Sequence, residues 1–213
     1  LEHSVINIRE AEELIRVIDL SGVVPLVRLT SNNSDLIKRV MDAGAHGVIV
    51  PMVNSASDAK MAVQSIKYPP TGGRGVGLAR AQKYGAEFEA YKKWLDQYSI
   101  VIVQIEHIDA VNNFKEILSV PGIDGFIIGP YDLSSSMGIS GDFSNPKYID
   151  AINRVKRLAK EMGVIGGVHI IEPDVKQLEE KINEGFKFIA YSLDVRMLDH
   201  SCRNALNYIK KHK

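Results

Sequence analysis

Six short apolar runs, each followed by a segment with helical spacing, constrain this chain more than any other feature of its sequence. The runs are Val23 to Leu29, Gly47 to Val53, Ile100 to Glu106, Gly125 to Leu133, Val164 to Ile171 and Phe186 to Leu193. They are rich in β-branched residues and almost unbroken in hydrophobicity, as strands covered on both faces must be. Between them lie helical patterns such as Ile149, Ile152, Val155, Ala159 and Met162, or Val175, Leu178 and Ile182. Helices are expected from Asn7 to Leu20 and from Ser34 to Ala43, each starting beside a capping residue. Gly22, Gly44, Gly122, Gly163 and Gly185 stand where a helix ends before the next strand, matching a left-handed C-cap. The order is βαβα throughout, with no linker or low-complexity tract. A doubly wound sheet and a barrel both satisfy it.

With 213 residues, 45% of them hydrophobic, the chain can bury one full core, so residues 1–213 are expected to form a single domain. Lys plus Arg and Asp plus Glu both number 26. A net charge of zero offers no basic face to steer a polyanion, which argues against nucleic acid as a partner. No apolar run approaches the roughly 18 residues of a membrane helix, and Leu1-Glu2-His3-Ser4 resembles neither a signal nor a transit peptide. No membrane partner and a cytoplasmic location are expected. The lone Cys202 excludes an internal disulfide, and its place in a helical pattern predicts a buried packing role. The chain opens on what reads as the tail of a strand followed directly by a helix. Six strands and a stub do not close an eight-stranded barrel, so about one and a half βα units are expected to be missing before Leu1.

Reactive groups of parallel α/β folds gather at the carboxyl ends of strands. There the sequence offers His3, Arg28, Gln104, Glu106, Asp132, His169 and Asp194. Glu106 and Asp132 end two consecutive runs, which sets their carboxylates side by side in a parallel sheet. Like charges so placed call for a proton or a bridging cation, and oxygen-only ligation suits Mg²⁺ or Mn²⁺. Either carboxylate alone would be read as readily as a cap on the helix that follows. No run ends in a lysine suited to Schiff-base chemistry, since Lys187 begins its strand. Arg28 offers the rigid fork of donors that grips a carboxylate or an enolate oxygen. The loop Tyr68-Pro69-Pro70-Thr71-Gly72-Gly73-Arg74-Gly75-Val76-Gly77 follows a helix, so it fails as a dinucleotide fingerprint and reads as a flexible rim. Backbone N–H groups within Gly129-Pro130-Tyr131-Asp132 are placed to hold a carboxylate at a helix start.

Taken in order, several motifs resemble those of the HpcH/HpaI aldolases, which include 4-hydroxy-2-oxoheptanedioate and 2-keto-3-deoxy sugar acid aldolases. They are Leu-Glu-His at 1–3, Pro-Leu-Val-Arg at 25–28, Gly-Val-Ile-Val-Pro-Met-Val at 47–53, the glycine-rich loop, Val-Gln-Ile-Glu at 103–106 and Ile-Gly-Pro-Tyr-Asp-Leu-Ser at 128–134. The resemblance implies a (β/α)₈ barrel and a metal-dependent class II aldolase that joins pyruvate, as its enolate, to an aldehyde. Glu106 and Asp132 would hold the metal, Arg28 would stabilise the enolate, and His3 would act as general base. Gln104 would position the metal site, and the backbone of Gly129, Pro130 and Tyr131 would receive the pyruvate carboxylate. Asp42 resembles an acid that reaches a neighbouring subunit's site, and Val195 to Lys211 resembles a helix exchanged between partners in a hexamer built as a trimer of dimers. Tyr131 replaces a smaller residue of some members, and the acid that pairs with the histidine would precede Leu1. Rival expectations are a citrate-lyase-like enzyme acting on an acyl-CoA, or a barrel without catalysis. His169 competes with His3 for the role of base.

Overall fold

In the computed structural model, which describes residues 1–212, each apolar run supplies one strand. The strands are β1 (Leu26–Arg28), β2 (Gly47–Val50), β3 (Ile100–Ile105), β4 (Gly125–Ile128), β5 (Ile165–Ile170) and β6 (Phe188–Tyr191). Before β3 lie helices α1 (Ile8–Leu20), α2 (Ser34–Asp42), α3 (Ala56–Ile66) and α4 (Phe88–Tyr98). After it come α5 (Ile108–Asn112), α6 (Phe114–Leu118), α7 (Pro130–Ser136), α8 (Pro146–Met162), α9 (Val175–Asn183) and α10 (Asp194–Lys211). All strands pair parallel in the order β1-β2-β3-β4-β5-β6. A doubly wound sheet reverses its order at a switch point. This sheet never does, and its strands curl into an open, partial barrel.

Local sequence explains the helix limits. Asn7 and Glu10 form a reciprocal capping box at the start of α1. At the other end of α8, Gly163 takes the left-handed conformation (φ 66°) that a side chain would strain. The other four glycines expected to cap helices share a positive φ. The run 125–133 divides differently from the expectation of one strand. Pro130, with φ already fixed near helical values, starts α7 directly after Gly129, so Asp132 arrives from a helix's first turn instead of a strand end.

Alternation along the strands separates two environments. Val101, Val103 and Ile105 of β3 join a buried cluster with Ile37, Ile66, Leu95 and Ile117 of the helix layer. Ile102 and Gln104 point the other way, into the curl of the sheet, and are also buried. By strand register, Arg28, Ile49 and Ile102 share that inner face, as do Gln104, Ile127 and Gly167.

Two expectations are corrected. Cys202 is exposed, on a helix with no buried residue. Helical spacing shows that a face is apolar; it does not show what the face packs against, and Leu198, Leu206 and Ile209 of α10 are exposed as well. The loop of residues 68–77 is not a loose rim either. Arg74 is 2% exposed, and its guanidinium donates to the Ile66 carbonyl and to the hydroxyls of Tyr68 and Tyr91, each at 3.0 Å.

Strands β2 and β3 approach closely because Gly47 carries no side chain. A β-carbon there would lie 2.3 Å from the Ile100 carbonyl oxygen, a backbone atom with little freedom to retreat. Gly47→Ala is expected to lower stability by about 1–3 kcal/mol, read as a lower urea midpoint at unchanged m. An unaltered midpoint would count against this strand contact.

Candidate active site

At the carboxyl ends of the strands lies a cleft of about 1090 Å³. It is lined by His3, Arg28, Gln104 and the segment Gly129 to Asp132, and by His169 and Asp194. Most strand-end groups picked out in the sequence are therefore brought together. Another hollow, of about 540 Å³, lies at the opposite ends of the strands beside His46, Arg80 and Trp94. None of the predicted site residues is there.

Arg28, at the end of β1, pairs through Nε with Oε2 of Glu2 at 2.7 Å. The pair leaves both terminal nitrogens of the guanidinium available to a ligand. Glu2 also lies 3.9 Å from Nε2 of His3, whose side chain is 70% exposed at the cleft mouth. Sequence reasoning missed Glu2 and sought the acidic neighbour of His3 before Leu1. The one available signal was its adjacency to His3, which carries no information about a contact with Arg28.

Glu106 follows β3 and is 2% exposed. Its Oε1 accepts the Met52 backbone N–H at 2.7 Å, and Oε2 accepts from the Gln104 amide. Met52 adopts a left-handed backbone (φ 51°), a conformation costly for a residue with a side chain. Burial pushes the Glu106 carboxyl above its usual range; the bonds from Gln104 and Met52 oppose this, and the charges of Glu2 and Asp132 add to it. Gly129 makes room for Glu106, because a β-carbon at 129 would sit 2.8 Å from both its Cβ and its Oε2. The Gly129 N–H is committed to the Ile105 carbonyl at 3.2 Å, and Pro130 has none. Tyr131 and Asp132 therefore supply the first free N–H groups of the segment. The Tyr131 ring meets Phe143 edge-on at 5.0 Å and walls the cleft.

Asp42 lies elsewhere, at the end of α2. Its Oδ1 is 3.5 Å from Nη2 of the buried Arg74. Among the described residues no group of three or more His, Cys, Asp or Glu side chains is arranged to hold a metal; the carboxylates of Glu2, Asp132 and Asp194 line the cleft, and Glu106 is buried next to the lining Gln104.

Comparison with known proteins identifies the family of the chain. The sequence model of the HpcH/HpaI aldolase/citrate lyase family matches residues 1–201. The chain belongs to the HpcH/HpaI aldolase/citrate lyase family. Within that family it is 34% identical to the 2-dehydro-3,6-dideoxy-6-sulfogluconate aldolase of Pseudomonas putida, over 99% of this chain and 82% of that protein. It is 37% identical to the hydroxypyruvate/pyruvate aldolase of Sagittula stellata, over 92% of this chain and 77% of the relative. A HpcH/HpaI aldolase/citrate lyase family protein from Burkholderia cenocepacia superposes with a TM-score of 0.90 at 31% identity, covering 98% of this chain and 83% of the other.

The raised carboxyl of Glu106 has a pH consequence for this HpcH/HpaI family member. A carboxyl with a raised folded pKa favours folding when protonated. That contribution is full below the ordinary value of about 4.3 and is lost as pH rises through the folded value. Glu106→Gln keeps the neutral form, and Gln104 can turn its amide, whose Oε1 is buried without a partner, to accept from it. In chelator at about pH 7.5, the variant is expected to melt roughly 2–4 °C above the parent, with the gap closing towards pH 4. An equal or lower melting temperature at neutral pH would contradict the assignment.

Proposed function

We propose that this chain is a divalent-metal-dependent class II aldolase that forms or cleaves the carbon–carbon bond between a pyruvate unit and an aldehyde. The substrate class is a 4-hydroxy-2-oxo acid or a 2-keto-3-deoxy sugar acid. The relatives are named aldolases, which are carbon–carbon lyases. The observation that carries the reading is the meeting of Arg28, Gln104 and Asp132 in one strand-end cleft, with the buried Glu106 held by Gln104.

A hard cation fits the donors present. Glu106 and Asp132 are oxygen ligands; burial first, and then the charges of Glu2 and Asp132, push the Glu106 carboxyl up, and a cation would offset the repulsion between the acids. Glu106 and Asp132 would hold Mg²⁺ or Mn²⁺, which supplies Lewis acidity towards the substrate's keto oxygen when bound. Gln104 fixes the Glu106 carboxylate through its amide. The free N–H groups of Tyr131 and Asp132 receive the pyruvate carboxylate, with Gly129 and Pro130 setting the turn. In the cleavage direction His3, acting through a water, takes the proton of the 4-hydroxyl. The C3–C4 bond then breaks, the aldehyde departs, and the electron pair remains on the pyruvate half as its enolate. Arg28 stabilises the oxygen on which that charge develops. Glu2 holds the Arg28 side chain by its Nε, so the terminal nitrogens meet the substrate.

The six strands belong, in this reading, to an eight-stranded (β/α)₈ barrel forming one domain. The exposed apolar face of α10 supports assembly with further copies, as a hexamer, and Asp42 acts in a neighbouring subunit's site. No helix of the described residues is long and apolar enough to cross a membrane.

The test is loss of methyl protons from pyruvate in D₂O, followed by NMR. Exchange is expected with Mg²⁺ or Mn²⁺ and to cease on exhaustive chelation; undiminished exchange in chelator would exclude the metal-dependent mechanism. Arg28→Lys is expected to reduce aldol kcat on the order of 10²–10³-fold, because a tetrahedral ammonium bound to Glu2 cannot present the planar, two-pronged fork of a guanidinium. Near-normal turnover would leave Arg28 as an ion-pair partner only.

A further inference from the structure

His169 and Asp194 are the strand-end residues in the cleft that the proposed mechanism leaves without a task, and His169 is the one on the inner face of the sheet. It lies near the end of β5: Ile127 pairs in register with Gly167, and the same alternation turns residue 169 inward. Extending the registers by one residue sets Glu106 beside Gly129 and Gly129 beside His169. Gly129 has no side chain, so nothing at that position separates His169 from the catalytic groups. Nε2 of His169 is fully buried and has no hydrogen-bond partner. A buried polar atom left so is costly, and a ligand that satisfies it recovers that cost.

The strand end beneath the ring is well fixed. Ser192, in a left-handed backbone (φ 59°), donates its N–H to the Ile170 carbonyl at 2.6 Å and its hydroxyl to the Ile171 carbonyl at 2.9 Å. Burial, with help from the Arg28 charge, keeps the imidazole pKa below its usual range, against a backbone contact from Ser192. The ring is therefore neutral at physiological pH. A neutral ring nitrogen either donates or accepts, and a hydroxyl complements it in either tautomer. A carboxylate tail would need one tautomer only and would add negative charge to a site already holding Glu2, Glu106 and Asp132.

We propose that His169 is a specificity-determining residue that hydrogen-bonds a hydroxyl group of the aldehyde half of the substrate. The inference rests on the aldolase reading above and deepens it: the preferred acceptor is a hydroxyaldehyde, selected over an alkyl aldehyde of the same length. His3 remains the base, and His169 takes no proton in the bond-breaking step.

Glyceraldehyde and propanal, both three-carbon aldehydes, are the probes, each with pyruvate and Mn²⁺. The parent enzyme is expected to favour glyceraldehyde in kcat/KM by at least tenfold. His169→Leu is expected to lose ten- to a hundredfold with glyceraldehyde, to stay within about twofold with propanal, and to leave pyruvate methyl exchange unchanged. His169→Gln, whose amide nitrogen reaches the place of Nε2, is expected to restore most of the preference. A parent that uses both aldehydes equally overturns the inference without any variant, so a misfolded His169→Leu does not shelter it. Equal losses with both aldehydes, or none with either, overturn it as well while exchange persists. A parent that shows no pyruvate exchange removes the aldolase reading itself, and the inference falls with it.

Discussion

The parallel register of the six strands is the constraint on which the site depends. Side chains alternate between the helix layer and the inner face, so a slip of one residue in any strand would exchange the two sets. In β3 such a slip would send Gln104 among Leu95 and Ile117 and turn Val103 towards the cleft. The fully enclosed residues of the helix layer, Ile37, Ile66 and Phe114 among them, therefore do more than stabilise. Their packing against the odd-numbered residues of β3 keeps Gln104 on the side where Arg28 and Asp132 are found.

On that scaffold the site concentrates groups that are unfavourable in isolation. Glu106 is buried beside other acids, Met52 holds a left-handed backbone to reach it, and the amide oxygen of Gln104 and the Nε2 of His169 are buried without partners. Departures from local preference are expected where a site is organised for a ligand and not for the empty fold. The ion pair of Glu2 with Arg28 restrains the guanidinium while leaving its outer face open.

Much of this was legible in the sequence, because short-range signals carried it. Strand positions followed from β-branched runs, helix starts from Asn7 and Asn33, and helix ends from glycines that adopt positive φ. Once the strands are parallel, chemistry at their carboxyl ends follows, and Arg28, Gln104, Asp132 and His169 do share a cleft. What escaped depends on contacts between distant residues. Nothing near Glu2 announces Arg28, and nothing in a glycine-rich loop announces that its arginine lies between two tyrosines. The apolar spacing around Cys202 marked a helix face correctly and gave no information about what that face meets.

Arg74 has a consequence for motion. Its guanidinium touches the end of α3 at Ile66, Tyr91 within α4, and Asp42 at the end of α2, while its own N–H bonds the Lys67 carbonyl at 3.0 Å. Three helices are thus pinned by one planar cation that also lies against the Tyr68 ring, 4.4 Å from its centre. Freeing the loop would strip that cation of several partners at once inside an apolar layer. Its opening therefore belongs to the same cooperative unit as the surrounding helices, and the segment from Tyr68 to Arg74 moves with the helix layer and not as an independent flap.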